Sequence, residues 1–149
     1  MLTRTLKLLV HADHDTLWGQ LLDGVQHPGR YVSGVTEVRF PEKAGDVVIR
    51  EMKLNGHQVR EKITIDDRES RISREFLDHP NFSGTIQCRV IRTAVQSPVA
   101  PQNLEYAVEI QPKSYKTAGV VQGEEEILAD LKEEMGRIKR VAEEAERKD

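Results

Sequence analysis

The stretch EEEILADLKEEMGRIKRVAEEAER, residues 124–147, predicts one long amphipathic helix. Its apolar residues recur at steps of three and four, so they share one face. That face carries Ile127, Leu128, Leu131, Met135, Ile138, Val141, Ala142 and Ala145. The opposite face carries Glu125, Asp130, Lys132, Glu133, Arg137, Lys139 and Arg140. Gly123 precedes an acidic first turn, which suits the positive end of the helix dipole. We expect this helix to cover a sheet, because the residues before it have mostly the pattern of strands.

Apolar and polar residues alternate over most of the chain before this helix, which is typical of strands. The predicted strands are residues 2–10, 35–40, 46–54, 57–66, 71–76, 81–91 and 104–110. After the first strand, Asp13 or Asp15 can cap a helix that contains Leu17 and Trp18. A short helix or turn is expected over residues 26–32, a turn over 41–45, and a connector over 113–122.

Composition narrows the class of protein. The 149 residues predict a single domain over 1–149. Net charge is −3 and both signs are mixed along the chain, so no nucleic-acid partner is expected. Cys88 is the single cysteine, which excludes an internal disulfide. No signal peptide and no apolar run of roughly 20 residues are present, so we expect a cytoplasmic protein without a membrane span.

The dipeptide Asn55-Gly56 predicts a tight hairpin turn, because both residues tolerate positive φ. A two-residue loop fixes which residues of the two strands are paired. The expected pairs on one face are Leu54 with His57, Met52 with Val59, Arg50 with Glu61, and Val48 with Ile63. This face is the apolar one, so it should point toward the helix. Arg74 alternates with Ile72 and Phe76, which places it on the same side.

These placements predict a polar cluster of Arg50, Glu61 and Arg74 inside a mostly apolar pocket. An unpaired charge in a protein interior is costly, so the three should pair or contact water. Such a group fits a wet or ligand-filled cavity better than a sealed core. The two arginines would suit a carboxylate or enolate oxygen of a ligand. The alternative is a register shifted by one residue, which would make Arg50 and Glu61 an ordinary surface pair.

Several segments resemble those of a known superfamily. They are Leu17-Trp18 in the first helix, His27-Pro28, the stretch YVSGV at 31–35, and the hairpin strands VIRE at 48–51 and VREKI at 59–63. The chain resembles the START and birch-pollen-allergen-like superfamily (SRPBCC), and within it an uncharacterised subgroup called AtaL-like. The resemblance implies an α+β helix-grip fold. In that fold a seven-stranded antiparallel sheet curves around a long C-terminal helix, with one or two short helices after strand 1.

The resemblance also implies an internal cavity that holds lipids, sterols, polyketides or similar molecules. A minority of the superfamily's members catalyse cyclisation or dehydration in this cavity. By alternation, the expected lining is Phe40, Met52, Val59, Ile63, Phe76, Ile86, Cys88, Tyr106 and Val108, with Leu128, Leu131 and Met135 from the helix. The predicted ligand-binding residues are Arg50, Glu61, Arg74, Met52, Val59, Ile63, Phe76, Tyr106, Leu131 and Met135.

Reactive groups are sparse. A metal ion could in principle bind to His11 and His14, which have Asp13 and Asp15 beside them. These residue types also cap helices, so no metal is expected. No cofactor is expected. Cys88 lies among apolar residues, which predicts a buried thiol without a catalytic base. Glu61 is the best candidate for an acid or base, although two neighbouring arginines should keep it ionised.

The leading functional hypothesis is therefore a protein that binds or carries an apolar small-molecule ligand in an internal cavity. A cyclase or dehydratase that uses Glu61 and Tyr106 is the first alternative. A non-catalytic interaction module with a filled core is the second. A cavity of roughly 300 Å³ or more would separate binding from the interaction module. Residues 95–100 form either an entrance loop or a connector, and the oligomeric state is not encoded in any readable pattern.

Overall fold

The computed structural model describes residues 1–93, 101–114 and 119–147. Seven antiparallel strands form one sheet, and the last helix lies against the inner face of that sheet. The elements are β1 (Leu2–Val10), α1 (His14–Gln26), a short 3-10 helix (Pro28–Arg30), β2 (Val35–Ala44), β3 (Val47–Leu54), β4 (His57–Asp66), β5 (Arg71–Asp78), β6 (Phe82–Arg92), β7 (Gln102–Pro112) and α2 (Val120–Arg147). The predicted α+β architecture is confirmed. No helix in the described part of the chain is long and apolar enough to cross a membrane.

The strands are ordered β1-β7-β6-β5-β4-β3-β2, so β1 and β2 are the two edges of the sheet. The edge position of β2 explains one wrong prediction. Residues 41–45 were expected to form a turn, but β2 continues to Ala44 and the turn is confined to Gly45 and Asp46. An edge strand tolerates Pro41 because the missing backbone N–H is not needed for pairing on the open side. Two register shifts interrupt the β2–β3 pairing, and Glu37 has φ of 52°.

The hairpin between β3 and β4 has the predicted turn and register. Asn55 and Gly56 have φ values of 52° and 84°. Leu54 pairs with His57, Met52 with Val59, Arg50 with Glu61, and Val48 with Ile63. The register prediction is confirmed, and the one-residue shift is excluded. Arg50 and Glu61 consequently point into the interior.

Helix α1 begins after Asp13, whose Oδ1 accepts a hydrogen bond from the Thr16 amide at 2.7 Å. Of the two predicted caps, Asp13 is therefore the one used. The buried face of α1 carries Leu17, Trp18, Leu21 and Val25. These side chains belong to the main apolar core, which they share with residues of the sheet and of α2.

Helix α2 begins at Val120, four residues earlier than predicted. Gly123 was expected to precede the helix, and this was wrong. Gly123 lies inside the first turns, and glycine suits this position because Phe82 of β6 packs so closely that a Cβ would be 2.8 Å from its Cε2. The predicted apolar face of α2 is buried over Ile127, Leu128, Leu131, Met135, Ile138 and Ala142.

The turn between β5 and β6 is organised by a buried histidine. His79 Nδ1 accepts hydrogen bonds from the backbone amides of Asn81 and Phe82, each at 3.1 Å. The imidazole also packs near the rings of Phe76 and Phe82. Burial lowers the pKa of His79, and the positive charge of Lys113 lowers it further. The neutral imidazole is thus the form that holds this turn.

Candidate functional site

Four charged side chains meet between the sheet and α2. Arg50 lies on β3, Glu61 on β4 and Arg74 on β5, so three adjacent strands contribute one residue each to the inner face. Glu134 approaches from the opposite side, on α2. Each of the four is at most 9% exposed. The predicted inward placement of the first three residues is confirmed, and Glu134 is an addition. We call these four residues the charged cluster.

Arg50 joins Glu61 to the end of helix α1. Its Nη2 donates to Glu61 Oε1 at 2.8 Å. Its Nη1 donates to the backbone carbonyl of Val25 at 3.0 Å and, at 3.3 Å, to that of Gly24. Both carbonyls belong to the last turn of α1, where the helix dipole is negative and favours a cation. Arg50 therefore fixes the position of this helix end over the sheet.

Arg74 joins the two carboxylates. Its Nε donates to Glu61 Oε2 at 3.0 Å, and its Nη1 donates to Glu134 Oε1 and Oε2 at 3.2 and 3.1 Å. The Tyr106 hydroxyl, from β7, donates to Glu134 Oε2. Every carboxylate oxygen of the cluster thus accepts at least one hydrogen bond, as buried charged groups require.

The cluster fixes the protonation states of Glu61, Arg74 and Tyr106 at neutral pH. Burial raises the pKa of Glu61, but the positive charges of Arg50 and Arg74 outweigh burial and lower it to about 2. Burial lowers the pKa of Arg74, but Glu134 and Glu61 raise it well above its ordinary value. Burial and the Glu134 carboxylate both raise the pKa of Tyr106. Glu61 is consequently ionised and Tyr106 protonated, which makes Glu61 a weak base and a poor acid.

An apolar cleft adjoins the cluster on the side of β2 and β3. Its walls are Pro28, Val32, Val35, Arg50, Met52, Leu54, Glu61, Arg74, Phe76, Ile86, Ile127, Asp130, Leu131 and Glu134. The cleft has an internal cavity of about 30 Å³, and it spans about 440 Å³ when the space open to solvent is counted. A cavity of this internal size holds about two water molecules. A second cavity of about 10 Å³ lies by Cys88 and Tyr106.

The structure brings together some of the predicted lining residues and separates others. Seven of them form cleft walls: Arg50, Met52, Glu61, Arg74, Phe76, Ile86 and Leu131. Cys88 and Tyr106 line the smaller cavity instead. Five are buried outside the cleft walls: Val59, Ile63, Val108, Leu128 and Met135. Phe40 is half-buried on edge strand β2, with the Lys43 ammonium over its ring.

Glu134 is the main residue that the sequence interpretation missed. It lies three residues after Leu131 and four before Ile138, so helical spacing places it on the buried face. That spacing was a usable signal, but Glu134 was assigned to neither face of the helix. Val35 was also missed, and Leu54, although placed on the inner face with Met52, was left out of the expected lining.

Two hydrogen-bonded contacts connect the mouth of the cleft to α2. Asn55 Nδ2 donates to Asp130 Oδ2 at 3.0 Å. The Ser33 amide and hydroxyl both donate to Glu133 Oε1 at 3.2 Å. These mouth contacts are exposed to solvent, so each contributes little to stability. The candidate entrance loop at 95–100 lies outside the described residues.

The histidines near α1 have separate partners. The His11 amide donates to Glu143 Oε2 at 2.9 Å, whereas His14 Nε2 lies 2.5 Å from Ser70 Oγ and its Nδ1 lies 3.0 Å from Asp15 Oδ1. Among residues 1–93, 101–114 and 119–147, no group of three or more potential ligands is arranged for a metal ion. The Ser70–His14–Asp15 chain has the residue types of an acyl-transfer triad. However, Ser70 is 7% exposed, so little of it is accessible to a substrate.

Cys88 is buried, as predicted. Burial raises the pKa of its thiol to about 12, so the thiol is protonated at neutral pH. Because the thiolate is the reactive form, this residue is not poised as a nucleophile.

Comparison with known proteins supports the fold. No family model matches the sequence, and no curated protein is significantly similar to it in sequence. Among solved structures, the Zhui aromatase/cyclase from a Streptomyces species is similar with a TM-score of 0.70 and 14% identity, over 98% of this chain and 94% of that one. The XoxI protein from Bacillus cereus is similar with a TM-score of 0.69 and 14% identity, over 98% and 99%.

The di-domain aromatase/cyclase StfQ of the steffimycin biosynthetic pathway is similar with a TM-score of 0.73 and 15% identity. The match covers 96% of this chain and 51% of StfQ. At these identities the likeness establishes shape, not activity. The chain therefore has the helix-grip fold that the sequence predicted.

Proposed function

We propose that this protein binds an apolar small molecule with one polar end in the cleft between the sheet and α2. The observation that carries the proposal is the position of the charged cluster at the inner end of apolar walls. Binding sites for small molecules commonly combine mostly apolar walls with a few fixed polar groups that orient the ligand. The cluster supplies such groups, and its internal hydrogen bonds hold them in place.

Binding by this route requires the cleft to widen, because about 30 Å³ is far below the roughly 300 Å³ of typical ligand pockets. The mouth contacts of Asn55 with Asp130 and Ser33 with Glu133 are the bonds that would break. Exposed hydrogen bonds of this kind contribute about 1 kcal/mol each, so opening is within reach of an apolar ligand's binding energy.

A second candidate function, cyclisation or dehydration of a polyketide-like substrate, is favoured by the likeness to Zhui and StfQ. The site argues for binding first, because Glu61 is held ionised by both arginines and is a poor proton donor. We also propose that residues 1–149 form a single domain of the AtaL-like subgroup. This domain works in the cytoplasm and needs no cofactor.

A thermal-shift panel of fatty acids, sterols and aromatic polyketides tests the proposal. We expect at least one class to raise the melting temperature of the wild-type protein. Leu131→Phe, which fills the cleft, should abolish the rise, whereas Ala129→Phe on the exposed face of the same helix should retain it. A wild-type protein that no ligand stabilises would favour the interaction module with a filled core.

The two candidate functions separate through Tyr106. Tyr106→Phe removes the hydroxyl but keeps the ring, so it should leave binding nearly intact. If the protein cyclises a poly-ketone substrate, mass spectrometry should detect a dehydrated product with the wild type and much less with Tyr106→Phe. If a ligand of the panel binds but neither protein forms a product, the binding function stands without the enzymatic one.

A further inference from the structure

The charge balance of the cleft indicates which polar end a ligand can carry. Each arginine of the cluster already faces carboxylate oxygens, at 2.8 Å for Arg50 and at 3.0–3.2 Å for Arg74. Two cations and two carboxylates leave no net charge in the cluster. Asp130, at the mouth, adds a further acidic group to the cleft walls.

This balance differs from the one that the sequence suggested. Two arginines against one glutamate would have left a cation free for a carboxylate or enolate. Glu134 supplies the second negative charge and binds Arg74 with both oxygens. A carboxylate that enters the cleft must lose its hydration, and no unpaired cation among the described cleft-wall residues compensates for that loss.

Among the described residues of the cleft walls, one buried side-chain donor has no hydrogen-bond partner. Arg50 Nη1 and Nη2 donate to carbonyl and carboxylate oxygens, but Arg50 Nε has no acceptor in the described residues. Arg50 is 2% exposed and forms part of the cleft wall. A guanidinium N–H can only donate, so the group that satisfies it must be an acceptor.

We infer that the cleft selects neutral apolar molecules with one hydrogen-bond acceptor at the buried end, such as a ketone, ester or amide carbonyl, and rejects carboxylates. This inference rests on the proposed binding function. Once the cleft widens, the uncharged acceptor reaches the buried Arg50 Nε–H and bonds it without bringing an uncompensated charge inside. The apolar body of the ligand contacts Val32, Val35, Met52 and Leu131.

Three probes with one ring system test the inference: 2-acetylnaphthalene, 2-naphthoate and 2-ethylnaphthalene. They present a ketone, a carboxylate and no acceptor. A second series of 2-dodecanone, dodecanoate and dodecane covers linear ligands. Dissociation constants are measured at pH 7 on the full chain, with Leu131→Phe as the variant that blocks the cleft. The arginine Nε–H region of a ¹H–¹⁵N NMR spectrum reports on Arg50 directly.

We expect the ketone of at least one series to bind about tenfold more tightly than its hydrocarbon, the change expected for satisfying one buried donor. It should also bind more tightly than its carboxylate, shift the Arg50 Nε–H resonance, and lose affinity in Leu131→Phe. A carboxylate that binds as tightly as the ketone, or a ketone that leaves the Arg50 resonance unchanged, overturns the selectivity while binding stands. If no probe of either series binds, the proposed function fails and the selectivity fails with it.

Discussion

Replacement of Glu61 by glutamine tests the energetic role of the charged cluster. Glutamine preserves the size of the side chain but removes the negative charge that both arginines share. In the variant Arg74 still pairs with Glu134, but Arg50 loses the carboxylate that it pairs with, so the buried cluster gains one uncompensated positive charge. We expect a large loss of stability for this reason.

The size of the loss can be worked out in two ways. The pKa of Glu61 is about 2 against an ordinary 4.5, which corresponds to about 3 kcal/mol in favour of the ionised side chain in the folded protein. Breaking a buried ion pair by removal of one partner typically costs about 3–5 kcal/mol. The two agree, and they amount to a large part of the roughly 5–15 kcal/mol that stabilises a domain.

Urea unfolding followed by the fluorescence of Trp18, the single tryptophan, measures the loss. Trp18 is buried and its Nε1 donates to Asp67 at 2.9 Å, so its emission should change on unfolding. Glu105→Gln is the matched control. Glu105 pairs with Arg89 and Lys7, which are largely exposed, so its loss should cost about 1 kcal/mol or less. Equal losses for Glu61→Gln and Glu105→Gln, or a loss below about 1 kcal/mol for Glu61→Gln, would refute the reasoning.

The same Glu61 pairing predicts an acid limit of stability. The pKa of Glu61 is depressed in the folded state, so its contribution is fully present above pH 4.5 and is lost as pH falls from 4.5 toward 2. The wild-type protein should therefore lose more stability over this range than Glu61→Gln does. Urea midpoints measured at several pH values check the difference, and parallel curves would contradict it.

Three further predictions concern other contacts. Arg74→Met should lower the free energy of unfolding by about 3–5 kcal/mol in the same urea assay. Adding Glu134→Leu restores charge balance, so the two substitutions should show a coupling energy of about 1–3 kcal/mol, and additive losses would contradict this. The pKa of His79 is lowered in the folded protein, so protonation below pH 6.5 favours the unfolded chain and stability should fall there. His79→Asn keeps a hydrogen-bond acceptor but does not titrate, so it should flatten this pH dependence, and an unchanged slope would contradict the prediction. Gly84→Ala should lower stability by about 3 kcal/mol or more in thermal unfolding, and a loss below about 1 kcal/mol would contradict this. Gly84 has φ of 138°, and a Cβ there would lie 2.1 Å from the Glu109 carbonyl oxygen.

Local rules were sufficient to predict the part of the site that lies on the sheet. The Asn55-Gly56 turn requires positive φ at two successive positions, and this requirement sets the register of β3 and β4. Alternation then places Arg50, Glu61 and Arg74 on one face. These predictions depend only on neighbours in sequence and on pairing across one turn.

The missing parts depend on contacts between distant elements. Glu134 lies in an acidic helix, and its burial follows from a guanidinium that another element brings to it. A glycine inside the first turns of α2 fits the Phe82 ring, which packs where a Cβ would be, and this contact joins elements far apart in sequence. The cleft volume depends on differences of about one ångström in the positions of many side chains, which no sequence pattern encodes.

Native mass spectrometry of the gently purified protein, followed by denaturation, tests the central claim most directly. We expect a non-covalent adduct of an apolar molecule that is released on unfolding. The adduct should be present in Ala129→Phe and absent from Leu131→Phe, because only the latter fills the cleft. A wild-type protein that carries no adduct and takes up no ligand of the thermal-shift panel would contradict the claim that this cleft is a binding site.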